Sequence, residues 1–323
     1  SRSGPRRPNA VSDSAADLDD LFSRRLLFVT GKGGTGKTSV AAAIARRAAA
    51  RGLRTLAVEM DAKGSLAGML GVPGAGFDPV PAGDGLFVMA MDTEPALREY
   101  LRVHMRLPVA ARLGPLASTL DFVADAAPGV KEVLAVGKVC WEVRERRYDL
   151  VVVDGEASGH IVSQIDSPRV IRSLVPRGPL ADQTSWMLAI LDDPATTGIV
   201  VASRPEDMVV TETVALVERV RTETSVDTAL VVVNGCPDPP VNPDDVAVLE
   251  AMRGACAGFA LPCDPGVVAA LDAAESLLMR WRDSREQTAR LVSALAPVPV
   301  REVPLVPPER VAAALDAVLG GPG

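Results

Sequence analysis

Residues 26–50, LLFVTGKGGTGKTSVAAAIARRAAA, constrain the fold more than any other stretch of the chain. LLFVT is a short apolar run of the kind that forms a buried strand, and KTSVAAAIARRAAA is built from strong helix formers and is followed by Gly52 in the position that ends a helix. Between them lie Gly31, Gly33, Gly34 and Gly36, too many glycines for the interior of either element. Strand, glycine turn and helix in immediate succession predict an α/β unit whose turn sits at the carboxyl end of a strand.

Gly31 to Thr38 match GxxxxGK[ST]. In that pattern the backbone N–H groups of the turn face phosphate oxygens, the last lysine (here Lys37) neutralises charge on the β- and γ-phosphates, and the hydroxyl of Thr38 ligates Mg²⁺. The dipole of the helix that follows adds to the anion site. Gly31, Lys32, Gly33, Gly34, Thr35, Gly36, Lys37, Thr38 and Ser39 are therefore the candidate nucleotide contacts. The motif needs one lysine. Lys32 is a second, and at this position its side chain points away from its own loop's cradle; a solvated surface lysine is the plain alternative.

The same rhythm continues. LLFVT, TLAVE, LFVMAMD, DLVVVD, GIVVAS and TALVVVN alternate with longer helical patterns, which predicts a doubly wound, mostly parallel sheet with crossover helices. With 48% apolar residues and only 3% aromatic ones, the core has to be Val, Leu and Ala, the mixture of buried parallel strands under Ala-rich helices. TLAVE and DLVVVD run into Asp61 and Asp154 at the sheet edge where ligands of open α/β sheets bind. Helical insertions are expected at about 93–147 and 160–196. The Ser-, Arg- and Asp-rich residues 1–25 read as a disordered leader, and 26–323 as a single domain, since neither an internal repeat nor an interdomain linker is evident.

A formal charge of −7 and a pI of about 5.1 remove any general attraction to nucleic acid or anionic lipid. Cys140, Cys236, Cys256 and Cys263 form no CxxC pair, which argues against a disulfide framework or a four-thiolate zinc site and for inert thiols. No apolar run reaches the ~18 residues of a membrane span, and the first 25 residues lack a signal peptide's apolar centre, so a cytoplasmic protein without direct membrane insertion is expected.

GKGGTGKT resembles the deviant Walker A phosphate loop of the dimeric nucleotide-switch ATPases. Among these, EMDAKGSLAGMLG is similar to the first switch, and DGEASGH to the second switch, of the arsenite-pump and tail-anchored-protein-targeting branch, the anion-transporting ATPase-like family. MDTEPALREYL, APGVKEVLAVGK and ASRPEDMVVTETVALVERV are similar to further segments of that branch, in the same order. The resemblance implies ATP and Mg²⁺ as ligands, Lys32 reaching across a dimer interface to the partner's nucleotide, Asp61 orienting the attacking water, and Asp154 holding a Mg²⁺-bound water. It also implies that Asn234 hydrogen-bonds adenine and that the loop holding Pro307 covers the base. Gly155 and Gly159 would let the second switch swing toward a γ-phosphate.

The departures are specific. Ala62, Lys63 and Gly64 replace the Pro, Ala and His of the first switch, and Gly155, Glu156, Ala157 and Ser158 replace the Thr, Ala, Pro and Thr of the second. Two functions follow from the resemblance: a slow Mg-dependent ATPase, homodimeric or paired with a paralogue, that couples nucleotide state to an unidentified protein client; or a nucleotide-holding regulatory subunit that pairs with an active paralogue. The short, methionine-poor stretch after His160 does not suit a groove for a membrane helix. Arginine-rich VRERR and MRWRDSR sit in helical patterns, where a solvated face is a simpler account than a kinase lid.

Overall fold

The computed structural model describes residues 15–60, 64–92, 130–174, 177, 179–242, 245–257 and 264–320. Asp61 and His104 lie outside them, as does most of the first expected insertion. The strands are β1 (Leu26–Gly31), β2 (Thr55–Glu59), β3 (Val80–Gly83), β4 (Leu86–Ala90), β5 (Leu150–Ala157), β6 (Thr197–Ser203), β7 (Asp227–Cys236) and β8 (Val300–Pro304). They form one eight-stranded sheet in the order β3-β4-β2-β5-β1-β6-β7-β8. Only β3 runs antiparallel, against β4. The six strand-like runs of the sequence are all strands. β3 and β8 were not legible: VPAG is broken by Pro and Gly, and VREVP interleaves charge with its valines.

The helices are α1 (Ala15–Ser23), α2 (Lys37–Ala50), α3 (Ser65–Met69), α4 (Val130–Arg144), α5 (Ser158–Leu174), α6 (Pro179–Leu191), α7 (Asp207–Glu223), α8 (Val246–Ala257), α9 (Pro265–Leu295) and α10 (Val311–Gly320). Alternation along each strand sorts them into two layers. Leu27, Val29, Ala57, Leu150, Val152, Val200, Ala202, Leu230 and Val232 point to one face and pack with α1, α2, α3 and α10. Leu26, Phe28, Leu56, Val58, Val151, Val153, Ile199, Val201, Val231 and Val233 point to the other and pack with α4, α5, α6, α7 and the carboxyl-terminal end of α9. Both faces are covered, so the strands read as unbroken apolar runs.

The chain leaves β1 through α2 and returns two places away in β2, on one side; β5 leads through α5 and α6, on the opposite face, to β6 on the other side of β1. The strand order thus reverses at β1, which opens a crevice at the carboxyl ends of β1 and its neighbours.

The expected leader is corrected in part. Residues 15–23 are α1, whose Leu18, Leu21 and Phe22 are buried against the α2 layer. Arg24, only 7% exposed, ties this segment down through Asp20 at 3.0 Å, Asp227 at 2.6 Å and the Thr197 carbonyl. Burial opposes its charge, but the hydrogen bonds to Asp227 and Asp20 prevail and raise its pKa. The short apolar pattern LxxLF was masked by the polar residues around it. A second correction concerns the thiols: Cys140 and Cys236 are free and buried, as expected, but Cys256 at the end of α8 is disulfide-bonded. Burial raises the Cys140 thiol, and burial with Glu302 nearby pushes that of Cys236 up to about 12, so both are unreactive at neutral pH. Among the described residues no helix is long and apolar enough to cross a membrane.

Candidate nucleotide site

The glycine turn closes on itself at the carboxyl end of β1. The backbone N–H and the hydroxyl of Thr35 both donate to the Lys32 carbonyl, at 3.3 and 2.8 Å. Gly31 has φ +146°, and a Cβ there would collide with the Ala202 carbonyl oxygen on β6; only glycine fits. Gly36, at φ +90°, is the N-cap of α2 and contributes no side-chain cap. The first N–H groups of a 14-residue helix therefore point into the turn with no side-chain acceptor from that cap, the arrangement that attracts an anion. Lys37 curls back so that its Nζ lies 3.5 Å from the Lys32 carbonyl, inside the curve of the loop. Thr38 and Ser39 are half-buried in the first turn, and the Ser39 hydroxyl faces Met69 Sδ on α3 at 3.9 Å rather than the loop.

Lys32 does what its position predicted and leaves its own cradle. Its ammonium forms an ion pair with Glu212 on α7 at 2.7 Å, on the opposite face of the sheet from α2. Both partners are about a third or more exposed, so the pair is weak and exchangeable. Glu212 was not singled out from the sequence, because nothing within one helix reveals a partner 180 residues away.

Asp154 pairs in register with Val29 of β1 and Glu59 of β2. It lies on the face of Leu150 and Val152, the α2 face, and is only 8% exposed. Glu59 shares that face with Ala57 and is 2% exposed. One oxygen of Glu59 accepts from the Ser65 N–H at 2.8 Å, the start of α3; the other, Oε2, is buried with no hydrogen-bond partner among the described residues. Sequence reasoning passed over Glu59 in favour of Asp61 two residues later, although a charge closing a buried strand was a readable signal. Oxygen donors of this kind (Thr38, Asp154, Glu59) suit Mg²⁺, which keeps several waters and takes one or two carboxylates together with phosphate. Among the described residues no three His, Cys, Asp or Glu side chains converge into a protein-only metal cage.

Asn234 directly follows the buried run 229–233 of β7. Its Nδ2 donates to the Thr35 carbonyl at 3.2 Å, so it braces the turn. Gly235 follows at φ +78°, and a Cβ there would stand 3.7 Å from both Arg204 Nη2 and Leu305 Cδ1. Leu305 leaves β8 through a bond to the Cys236 carbonyl, and Pro307 caps the short 3₁₀ turn Pro308–Arg310. The structure thus gathers the glycine turn, Asn234 and the Leu305–Pro307 loop at one sheet edge. Gly155 is packed against the Val29 carbonyl, whereas Gly159 and His160 lie in the exposed first turn of α5.

Residues 24–178 match the family model described as anion-transporting ATPase. Over these residues, just under half of its length, the chain is similar to the anion-transporting ATPase family. ATPase BagA of Mycobacterium tuberculosis is 31% identical over 209 residues, which cover 61% of each chain. ATPase get3 of Schizosaccharomyces japonicus is 26% identical over 181 residues, covering 53% of this chain and 55% of the relative. A putative arsenical pump-driving ATPase of Halobacterium salinarum is 26% identical over 242 residues, 68% of this chain and 37% of its own. This anion-transporting ATPase-like chain spans about three-fifths of the length of the first of these relatives. The fold is that of a P-loop NTPase, and the family is one of nucleotide-binding ATPases.

Proposed function

We propose that this protein binds ATP with Mg²⁺ at the carboxyl edge of β1 and hydrolyses it slowly, residues 26–323 acting as one switch domain that pairs with a second copy or a paralogue. The carrying observation is the turn itself: Gly36 leaves the first N–H groups of α2 without a side-chain cap, and Lys37 lies inside the loop's curve. Backbone donors grip the phosphates there, and Lys37 offsets their charge. Thr38 and Asp154 hold the metal side, Asp154 through water; Mg²⁺, when bound, draws charge from the β- and γ-phosphates. Asp61, by family resemblance, orients the attacking water. Catalysis of this type asks for positioning more than for a strong base.

Lys32 supplies the trans element. Among the described residues its own chain offers it an exposed carboxylate, Glu212, with which a partner's phosphates compete on favourable terms. Asn234 and the loop at Pro307 flank the base, the carbonyl end of the Asn234 amide accepting from an adenine amino group. Nucleotide state would then govern engagement of a protein client.

Isothermal titration and phosphate release on Lys37→Ala and Asp61→Asn test this reading. Lys37→Ala is expected to weaken ATP binding by about a hundredfold or more, and Asp61→Asn to keep binding while lowering turnover by a similar factor. Unchanged turnover in both variants rejects the mechanism. Binding without any turnover in the unaltered protein, with turnover appearing only on addition of a paralogue, favours the regulatory-subunit reading that the altered switch residues 62–64 and 155–158 motivate.

A further inference from the structure

We infer that Glu59 is a second metal-side carboxylate, which couples Mg²⁺ to the start of the first switch helix; this rests on the proposed nucleotide site. A carboxylate removed from water needs a partner for each oxygen, since an unsatisfied buried charge is among the most expensive features a fold can carry. Glu59 is 2% exposed, and its two oxygens are treated unequally. Oε1 accepts from the Ser65 N–H at 2.8 Å, while Oε2 has no hydrogen-bond partner among the described residues.

The direction of the side chain follows from the sheet. Leu56 and Val58 pack on the α7 side, whereas Ala57 packs under α2, so Glu59 belongs to the α2 side as well. Asp154 is its register neighbour on β5 and faces the same way. The glycine turn lies immediately beyond, because Val29 is the register neighbour of Asp154 on β1. Two acids in register on adjacent strands, on the face that carries Thr38, are therefore placed to accept hydrogen bonds from the waters of one hydrated cation.

The other half of the inference is mechanical. α3 starts after Gly64, at φ +73°, which provides no side-chain cap; the N–H of Ser65 is satisfied by a strand carboxylate instead. The first-switch residues 61–63 are spanned by this bond, from Glu59 to Ser65. A charge arriving at Oε2 fixes the carboxylate, and through Oε1 it fixes the start of α3. Glu59 is thus a positioning residue, acting on the start of α3 through Ser65 and on the metal through water.

The isosteric Glu59→Gln variant separates this role from simple helix capping, because the amide oxygen still accepts from Ser65 while the charge is gone. ATP affinity of the full chain is measured by calorimetry across a Mg²⁺ titration and in EDTA. The Mg²⁺ concentration for half-maximal tightening is expected to rise about tenfold in Glu59→Gln, with affinity in EDTA unchanged or better. Glu59→Asp keeps the charge and is expected to retain most of the Mg²⁺ response, which preserves the test if Glu59→Gln folds poorly. A Mg²⁺ response within twofold of the unaltered protein in Glu59→Gln, or one lost equally in Glu59→Asp, overturns the role of Glu59 and leaves the nucleotide site standing. An unaltered protein that binds no ATP with or without Mg²⁺ overturns both.

Discussion

Gly36 shows how a single backbone angle decides the site. At φ +90° it starts α2 without capping it, and a Cβ would run into the Asn234 amide that braces Thr35. Gly36→Ala is therefore expected to cost roughly 1–2 kcal/mol in backbone strain, plus the displacement of Asn234, and to weaken ATP binding by at least about tenfold. Thermal unfolding and nucleotide titration check both parts. The motif residues Gly31 to Thr38 were legible because glycine tolerance and the need for lysine and hydroxyl are local demands. Glu212 was not, because it matters only through a partner brought close by the sheet; the charge of Glu59 at the end of a buried strand was readable, but its place beside Asp154 was not.

Among elements, α1 departs furthest from what the sequence alone suggested. Leu21 is 1% exposed and packs with Phe22 and Leu18 into the layer that supports α2. Leu21→Ala is expected to destabilise the protein by about 2–5 kcal/mol, read by denaturant unfolding. If 15–23 were a dispensable leader, stability would not move. The remaining boundaries behaved as local propensity dictates: α2 ends where Gly52 takes φ +85°, and α9 starts at a proline with Asp264 capping Gly266. β3 and β8, by contrast, owe their strand conformation to pairing with β4 and β7 rather than to their own residues.

At the scale of the whole molecule, Lys32 is the informative residue. It lies in the turn yet reaches the α7 face, away from Asp154 and Glu59. A trans role predicts that Lys32→Ala leaves ATP affinity at low protein concentration within about threefold, while turnover at high concentration falls at least tenfold and nucleotide-linked dimerisation disappears, by analytical ultracentrifugation. A purely solvated lysine would leave all three unchanged. The sequence by itself determined the layered α/β class, the position of the glycine turn and the six main strands, because each rests on periodicity or steric tolerance within a few residues. Only the tertiary structure decided that α1 belongs to the core, that β8 completes the sheet, that Glu212 receives Lys32, and that Glu59 stands buried beside Asp154. Those are contacts between distant residues, and their energy exists only once the strand order has brought them together.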